Sequence, residues 1–175
     1  MRTGFTRLVL AAALAGSFAL AAEGARAADS RIATGFEIAP VPLNLQGLDR
    51  DLVGLGSYIV NAPGDCNGCH SSHEYLDGHD PFLGQPAKID RQHYLAGGRA
   101  FGPIISANLT PDRNRLPGGM TLRQFVEAIR HGQDPEDPKR ILQVMPWPTF
   151  SHMQDRDIRA IYEYLRAIPS RGQRG

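Results

Sequence analysis

Apolar positions along the chain fall into three helical stretches separated by long reaches without a period. Leu52, Leu55 and Ile59 recur at offsets of three and seven, one face of a helix, with Asp49 and Asp51 near its positive N-terminal end. Gly54 and Gly56 weaken this stretch, each by about 1 kcal/mol relative to alanine, and Pro63-Gly64 ends it. A second helix is predicted from Thr121, where Gln124 completes a capping box, Leu122, Phe125, Val126 and Ile129 share a face, and Gly132 closes the run. The third opens near Asp155, with Asp155 and Asp157 complementing the helix dipole. It continues through Ile158, Ile161, Tyr162 and Leu165 until Pro169.

Between these stretches the pattern lapses. Residues 28–48 carry Pro40, Pro42 and Gly47 with no apolar period and read as an irregular N-terminal arm. From Ser71 to Leu109 the chain is loop-like, broken by Gly78, Gly84, Pro86, Gly97, Gly98, Gly102 and Pro103. Loops of that length are uncommon in a compact domain unless they serve a function or wrap something. With no internal repeat and no alternating strand, the expected class is all-α with long loops. Three amphipathic helices make a thin core on their own, so something else has to fill it.

The N-terminus bears on compartment. Arg2 and Arg7 form a basic start, Leu8 to Ala22 is an uncharged run rich in Ala and Leu, and Ala25-Arg26-Ala27 places small residues where a signal peptidase reads. Residues 1–27 are expected to be an export signal cleaved after Ala27, since the apolar run is shorter than the roughly 20 residues that span a bilayer. No later segment approaches a span, no cysteine adjoins the cleavage site for lipidation, and no twin-arginine pair is present. Removal of 1–27 leaves 148 residues, one domain's worth. Three arginines and Glu23 leave with it, so 19 basic and 18 acidic residues become 16 and 17, a net charge of −1. Such a balance argues against nucleic acid as a partner. The domain is expected over 49–170, and residues 171–175 are expected to be a flexible tail.

The two cysteines of the chain stand in Asp65-Cys66-Asn67-Gly68-Cys69-His70. A disulfide between them would close a ring too small to stabilise much. Zinc needs four ligands, and no second cysteine pair exists. A redox dithiol belongs at a helix start after a strand in a βαβ unit, whereas the preceding segment here is helical. Covalent haem attachment accounts for all three side chains: the two thiols add to the two vinyl groups of the porphyrin, and the imidazole of the next residue lies beneath the iron. One haem c, held by Cys66 and Cys69 with His70 as axial ligand, is therefore expected, in an exported setting and as filler for the thin core.

The second axial position decides whether such a haem carries electrons or binds small molecules. Met145 lies in "LQVMPWPTF", where Pro146 and Pro148 remove backbone donors and are expected to hold the chain extended, a rigid mount for a thioether. Met120 and Met153 adjoin helix starts, where a gap-filling role is common for methionine; Met153 and His152 remain alternatives to Met145. His73, His79, His93 and His131 read as solvent-facing or hydrogen-bonded loop histidines. Trp147 and Phe150 either border the haem or close their own loop. Asn108 and Thr110 are expected to fold back on local backbone before Pro111.

The stretches "LGSYIVNAPGDCNGCH", "YLAGGRAFGPIISANLTPD", "TLRQFVEAIRHG" and "VMPWPTFSHMQDRDIRAIYEYLRAIP" together resemble class I c-type cytochromes, in particular periplasmic bacterial domains of dehydrogenase electron-transfer chains. The resemblance implies a cytochrome c fold in which the first and last helices cross at right angles, with Gly56 allowing close approach to "IYEYL". It assigns thioethers to Cys66 and Cys69, the proximal position to His70 and the distal one to Met145. It departs from the smallest members in the long 71–94 loop and in "HGQDPEDPKRIL" before the methionine. The function implied is a periplasmic one-electron carrier, free-standing or a dehydrogenase subunit, and not an enzyme. A dehydrogenase would be the donor and an oxidase or another cytochrome the acceptor. The rival is a haem enzyme or sensor whose Met145 is displaced by peroxide, nitric oxide or carbon monoxide.

Overall fold

The computed structural model describes residues 30–172; the expected export signal lies outside them. Among the described residues the elements are α1 (residues 30–38), α2 (Arg50–Asn61), α3 (Cys66–His70), a 3-10 turn (Pro81–Leu83), β1 (Ala100–Phe101), β2 (Ile104–Ile105), α4 (Leu122–His131), α5 (Trp147–Phe150) and α6 (Asp155–Ala167). Among the described residues no helix is long and apolar enough to cross a membrane.

The core is a crossing of α2 and α6. Val53, Leu55, Ile59 and Val60 of α2 are buried with Ile158, Ala160, Ile161, Tyr164 and Leu165 of α6, and Phe125 and Ile129 of α4 join the same cluster. What lets the two long helices meet is Gly56, where an added Cβ would fall 1.9 Å from the Ala160 carbonyl oxygen. Asp49 starts α2 as expected, its carboxylate accepting from the amides of Asp51 and Leu52. The capping box of α4 is complete, with Thr121 and Gln124 bonded in both directions, and Gly132 ends the helix at φ 66.

Two expectations need correction. The arm expected to be irregular over 28–48 is helical at 30–38 and loses regular structure from residue 39. Gly35 hides this helix from the sequence pattern, because it serves as a contact: a Cβ there would lie 1.9 Å from the Gly54 carbonyl oxygen, and Ser57 Oγ donates to the Gly35 carbonyl at 2.6 Å. The helix is held by packing on α2 rather than by propensity. The all-α expectation also omits a hairpin, in which Ala100 pairs with Ile105 and Phe101 with Ile104. Its two-residue turn has Gly102 at φ 61 followed by Pro103, and strands of two residues are too short to show alternation.

The long loop is built rather than loose. Residues 74–90 form an excursion closed at its base by Asp90 N to Glu74 O at 2.9 Å and Leu76 N to Lys88 O at 3.0 Å. At its far end Asp80 caps the 3-10 turn by accepting from Phe82 N. The tail expected to be flexible from 171 is tethered at its first residue. Arg171 donates its amide to Thr110 Oγ1 at 3.0 Å and its guanidinium to Arg91 O at 2.9 Å.

Candidate functional site

Helix α3 places Cys66 and Cys69 almost one turn apart, with His70 at its last position. The helix starts from Asp65 in the left-handed region at φ 40. The Asp65 carboxylate folds over the first turn, so close to Gly68 that a Cβ there would lie 2.7 Å from Oδ2. A left-handed residue before the helix and extended Ser71 after it thus bound the short segment that carries the motif.

The C-terminal end of α3 is bolted to the segment 95–107. Gly97 N donates to His70 O at 2.7 Å, Leu95 N to Ser71 Oγ at 3.0 Å and to Asn67 Oδ1 at 3.2 Å, and Ser71 Oγ bonds Asn67 Oδ1. Leu95 is fully buried in the left-handed region, at φ 56. An aliphatic residue there is strained by about 1–3 kcal/mol and persists because its surroundings over-determine it. The same wall orients the imidazole: His70 Nδ1 lies 2.8 Å from the Ala107 carbonyl oxygen. A carbonyl only accepts, so Nδ1 carries the proton and Nε2 keeps a free lone pair.

Electrostatics agree with that chemistry. Burial pushes His70 below the ordinary imidazole range, partly opposed by its bond to Ala107, so the ring is neutral at neutral pH. Burial, with Asp65 and Cys69 nearby, pushes the Cys66 thiol up to about 12. A redox dithiol needs its attacking thiol lowered instead. Among the described residues no three His, Cys, Asp or Glu side chains converge to hold a metal ion.

The methionines separate less sharply. Met120 is buried in the core, its carbonyl accepting from Tyr162 Oη at 2.9 Å. Met145 and Met153 are both partly buried at the edge of the core, and His152 is exposed. The chain after Met145 is not extended, contrary to expectation. Trp147–Phe150 form one helical turn, and Pro148 sits in that first turn, where a missing N–H costs nothing.

Met145 is mounted on a loop pinned at both ends. Leu142 N donates to Gly132 O at 2.7 Å, and Trp147 Nε1 donates to Leu142 O at 3.2 Å. The indole lies on Gly132 so closely that a Cβ would meet Nε1 at 2.4 Å. Trp147 therefore closes its own loop. This role escaped sequence reasoning because Gly132 reads only as a helix end, while its second use as a platform is a tertiary contact. The segment before it, 133–141, is clamped by Arg140, whose Nε and guanidinium NH2 reach Asp134 Oδ2 at 2.8 and 2.5 Å.

Burial alone would raise the Asp134 carboxyl, but the Glu136 amide and the Arg140 guanidinium outweigh it and hold the pKa below the ordinary value. A carboxylate depressed in the folded state contributes stability above its unfolded pKa of about 3.9, and that contribution is lost as pH falls through the folded value. Asp134→Asn is expected to lower the denaturant midpoint at pH 7, with the gap to wild type closing below about pH 4. A gap that stayed constant across that range would contradict this assignment.

Asn108 Oδ1 accepts from Thr110 N at 2.8 Å, the local turn expected, and Asn108 Nδ2 also reaches Arg171 O at 3.3 Å. His79 bonds Pro86 O at 3.1 Å and His93 bonds Asp90 at 2.7 Å. Ile104 and Ile105, just before Ala107, are 40% and 60% exposed, and Ile141 and Val144, just before Met145, are 43% and 40% exposed. Exposed aliphatics on the segments beside both candidate ligands, with two thiols and an oriented neutral imidazole, fit a large apolar group such as haem c.

The alcohol dehydrogenase (quinone) cytochrome c subunit of Gluconacetobacter polyoxogenes is 33% identical over 120 residues, covering 67% of this chain and 22% of that protein. The gluconate 2-dehydrogenase cytochrome c subunit of Pantoea cypripedii is 33% identical over 114 residues, 65% of this chain and 22% of that one. The fructose dehydrogenase cytochrome subunit of Gluconobacter japonicus is 32% identical over 120 residues, 66% and 21% respectively. The chain thus spans about a fifth of the length of the curated relatives it matches. No family model matches the chain, and no solved structure does. By these likenesses the chain is similar to cytochrome c subunits of dehydrogenases.

Proposed function

We propose that the chain is a periplasmic one-electron carrier with a single haem c, joined through thioethers at Cys66 and Cys69 and ligated axially by His70 and Met145. The observation that carries this reading is the CXXCH helix whose histidine is held at Nδ1 by Ala107, leaving Nε2 for iron. When bound, the haem supplies a one-electron couple at iron, and a sulfur ligand raises its potential relative to two nitrogens.

The chain's own residues do the rest. Ala107 fixes the imidazole tautomer, Trp147 and Gly132 hold the Met145 loop shut, and the exposed aliphatics Ile104, Ile105, Ile141 and Val144 would lie against a bound haem. A group held from both sides by a pinned loop and a bolted helix needs little rearrangement to change charge. Carriage rather than bond-making chemistry follows from two filled axial positions. The redox partners proposed are a periplasmic dehydrogenase as donor, in keeping with the subunit names of the relatives, and an oxidase or another cytochrome as acceptor.

The axial assignment is tested by methionine replacement in the haem-loaded protein. Met145→Ala is expected to abolish the near-infrared band of methionine-ligated ferric haem and to lower the potential, while Met153→Ala retains both. The opposite pattern would move the ligand to Met153. Rapid carbon monoxide binding by the reduced wild-type protein would count against the carrier reading.

A further inference from the structure

The base of the 74–90 excursion carries a pair of imidazoles that nothing in the haem site uses. His73, three residues after His70, and His93, three residues after Asp90 where the excursion returns to its base, stand with ring centroids 5.0 Å apart and planes inclined at 52°. His93 is 44% exposed at its side chain and His73 is exposed, so neither ring is a core filler.

Each ring has its Nδ1 engaged. His93 Nδ1 lies 2.7 Å from Asp90 Oδ2, and His73 Nδ1 lies 3.2 Å from Ser72 Oγ. Asp90 is itself held in place by accepting from Gln92 N at 2.9 Å. A carboxylate accepts, so His93 Nδ1 carries a proton and Nε2 is the ring nitrogen outside that bond. Carboxylate to Nδ1 with Nε2 left over is the outer-shell arrangement that orients metal-binding histidines.

With a metal–nitrogen bond of about 2 Å and a nitrogen about 1.1 Å from the ring centre, each centroid would sit about 3.1 Å from the ion, so two imidazoles bound between square-planar and tetrahedral angles lie about 4.4–5.1 Å apart. The observed 5.0 Å falls in that range, and the 52° inclination is not that of a stacked pair.

We propose that His73 and His93, oriented by Ser72 and Asp90, form an open two-imidazole site for a divalent transition ion, copper(II) in preference to zinc(II). Two nitrogen donors suit both ions, and the affinity order favours copper. Among the described residues no third His, Cys, Asp or Glu joins them, so the remaining positions would belong to water or to a group brought by a partner. Because the two histidines stand at the two ends of the excursion, the ion would cross-link its base. The excursion presents Phe82 and Leu83, 84% and 72% exposed, at its far end, so binding would stiffen whatever contact that tip makes.

The test uses untagged, haem-loaded protein with zinc(II) followed by calorimetry and copper(II) by electron paramagnetic resonance of the ferric form. Wild type is expected to take one ion per chain, with copper hyperfine structure from imidazole nitrogen. His73→Ala and His93→Ala should each weaken binding at least tenfold, and Asp90→Asn about tenfold or more, as for loss of an outer-shell partner. Zinc should raise the unfolding temperature of wild type and leave that of His93→Ala unchanged. The haem spectrum and potential should be the same in all three variants, which separates failure here from failure of the haem reading. If the double variant His73→Ala, His93→Ala binds as wild type does, or wild type shows no saturable one-to-one binding, the site does not exist.

Discussion

Serine at both Cys66 and Cys69 is expected to give a chain whose haem, if taken up at all, passes wholly into acidified organic solvent, while wild type retains its colour in the protein fraction. The two thiols are the chain's entire supply, so no other residue can take over the thioethers. The expected loss extends to stability. Cys66 lies partly buried against the hydrophobic cluster, and Ile104, Ile105, Ile141 and Val144 are 40%, 60%, 43% and 40% exposed among the described residues. Covering apolar surface contributes about 25 cal/mol per Å², so a group as large as haem supplies several kcal/mol of burial to a small core. A single replacement should keep the pigment attached through the other sulfur. Haem that stayed bound after extraction of the double variant would remove the thioether assignment, and with it the proposed function.

The sequence carried the parts of this molecule whose signals are local. Asp49, the Thr121–Gln124 box and Gly132 mark helix ends through bonds within a few residues, and each makes those bonds. The cysteine–histidine run is legible because the chemistry demands adjacency. What stayed hidden depends on partners far along the chain. Gly54 and Gly56 look like weak points in a helix and Gly35 lies in a stretch without an apolar period, yet each is where another backbone comes too near for a side chain. Trp147 could be placed beside the haem or on its own loop until Gly132 and Leu142 were found beneath it. The Ala107 carbonyl that orients His70 comes from 37 residues away and has no side-chain signature at all.

Gly56→Val should be the most damaging single change outside the haem motif. The added Cβ would stand 1.9 Å from the Ala160 carbonyl oxygen, 2.5 Å from its carbonyl carbon and 2.8 Å from Tyr164 Cβ. Two of those three neighbours are backbone in the middle of α6, so no rotamer change relieves the clash and the helices have to part. Parting them opens the interface that buries Val53, Val60, Ala160 and Tyr164. It also strains the polar cluster in which Tyr164 Oη meets Tyr94 Oη at 2.8 Å and Asn61 Nδ2 at 3.1 Å. Overpacking that cannot relax, with partial loss of a core contact, places the cost at about 3–5 kcal/mol, a large share of a domain's usual 5–15 kcal/mol. Guanidinium unfolding of the haem-loaded protein measures it, with Gly78→Ala as control: Gly78 has φ 75 but nothing within 4 Å of an added Cβ, so it reports backbone strain alone, about 1 kcal/mol. Were Gly56→Val no worse than that control, α2 and α6 could not be in backbone contact at this point, because a β-branched side chain cannot share the space that the Ala160 peptide occupies.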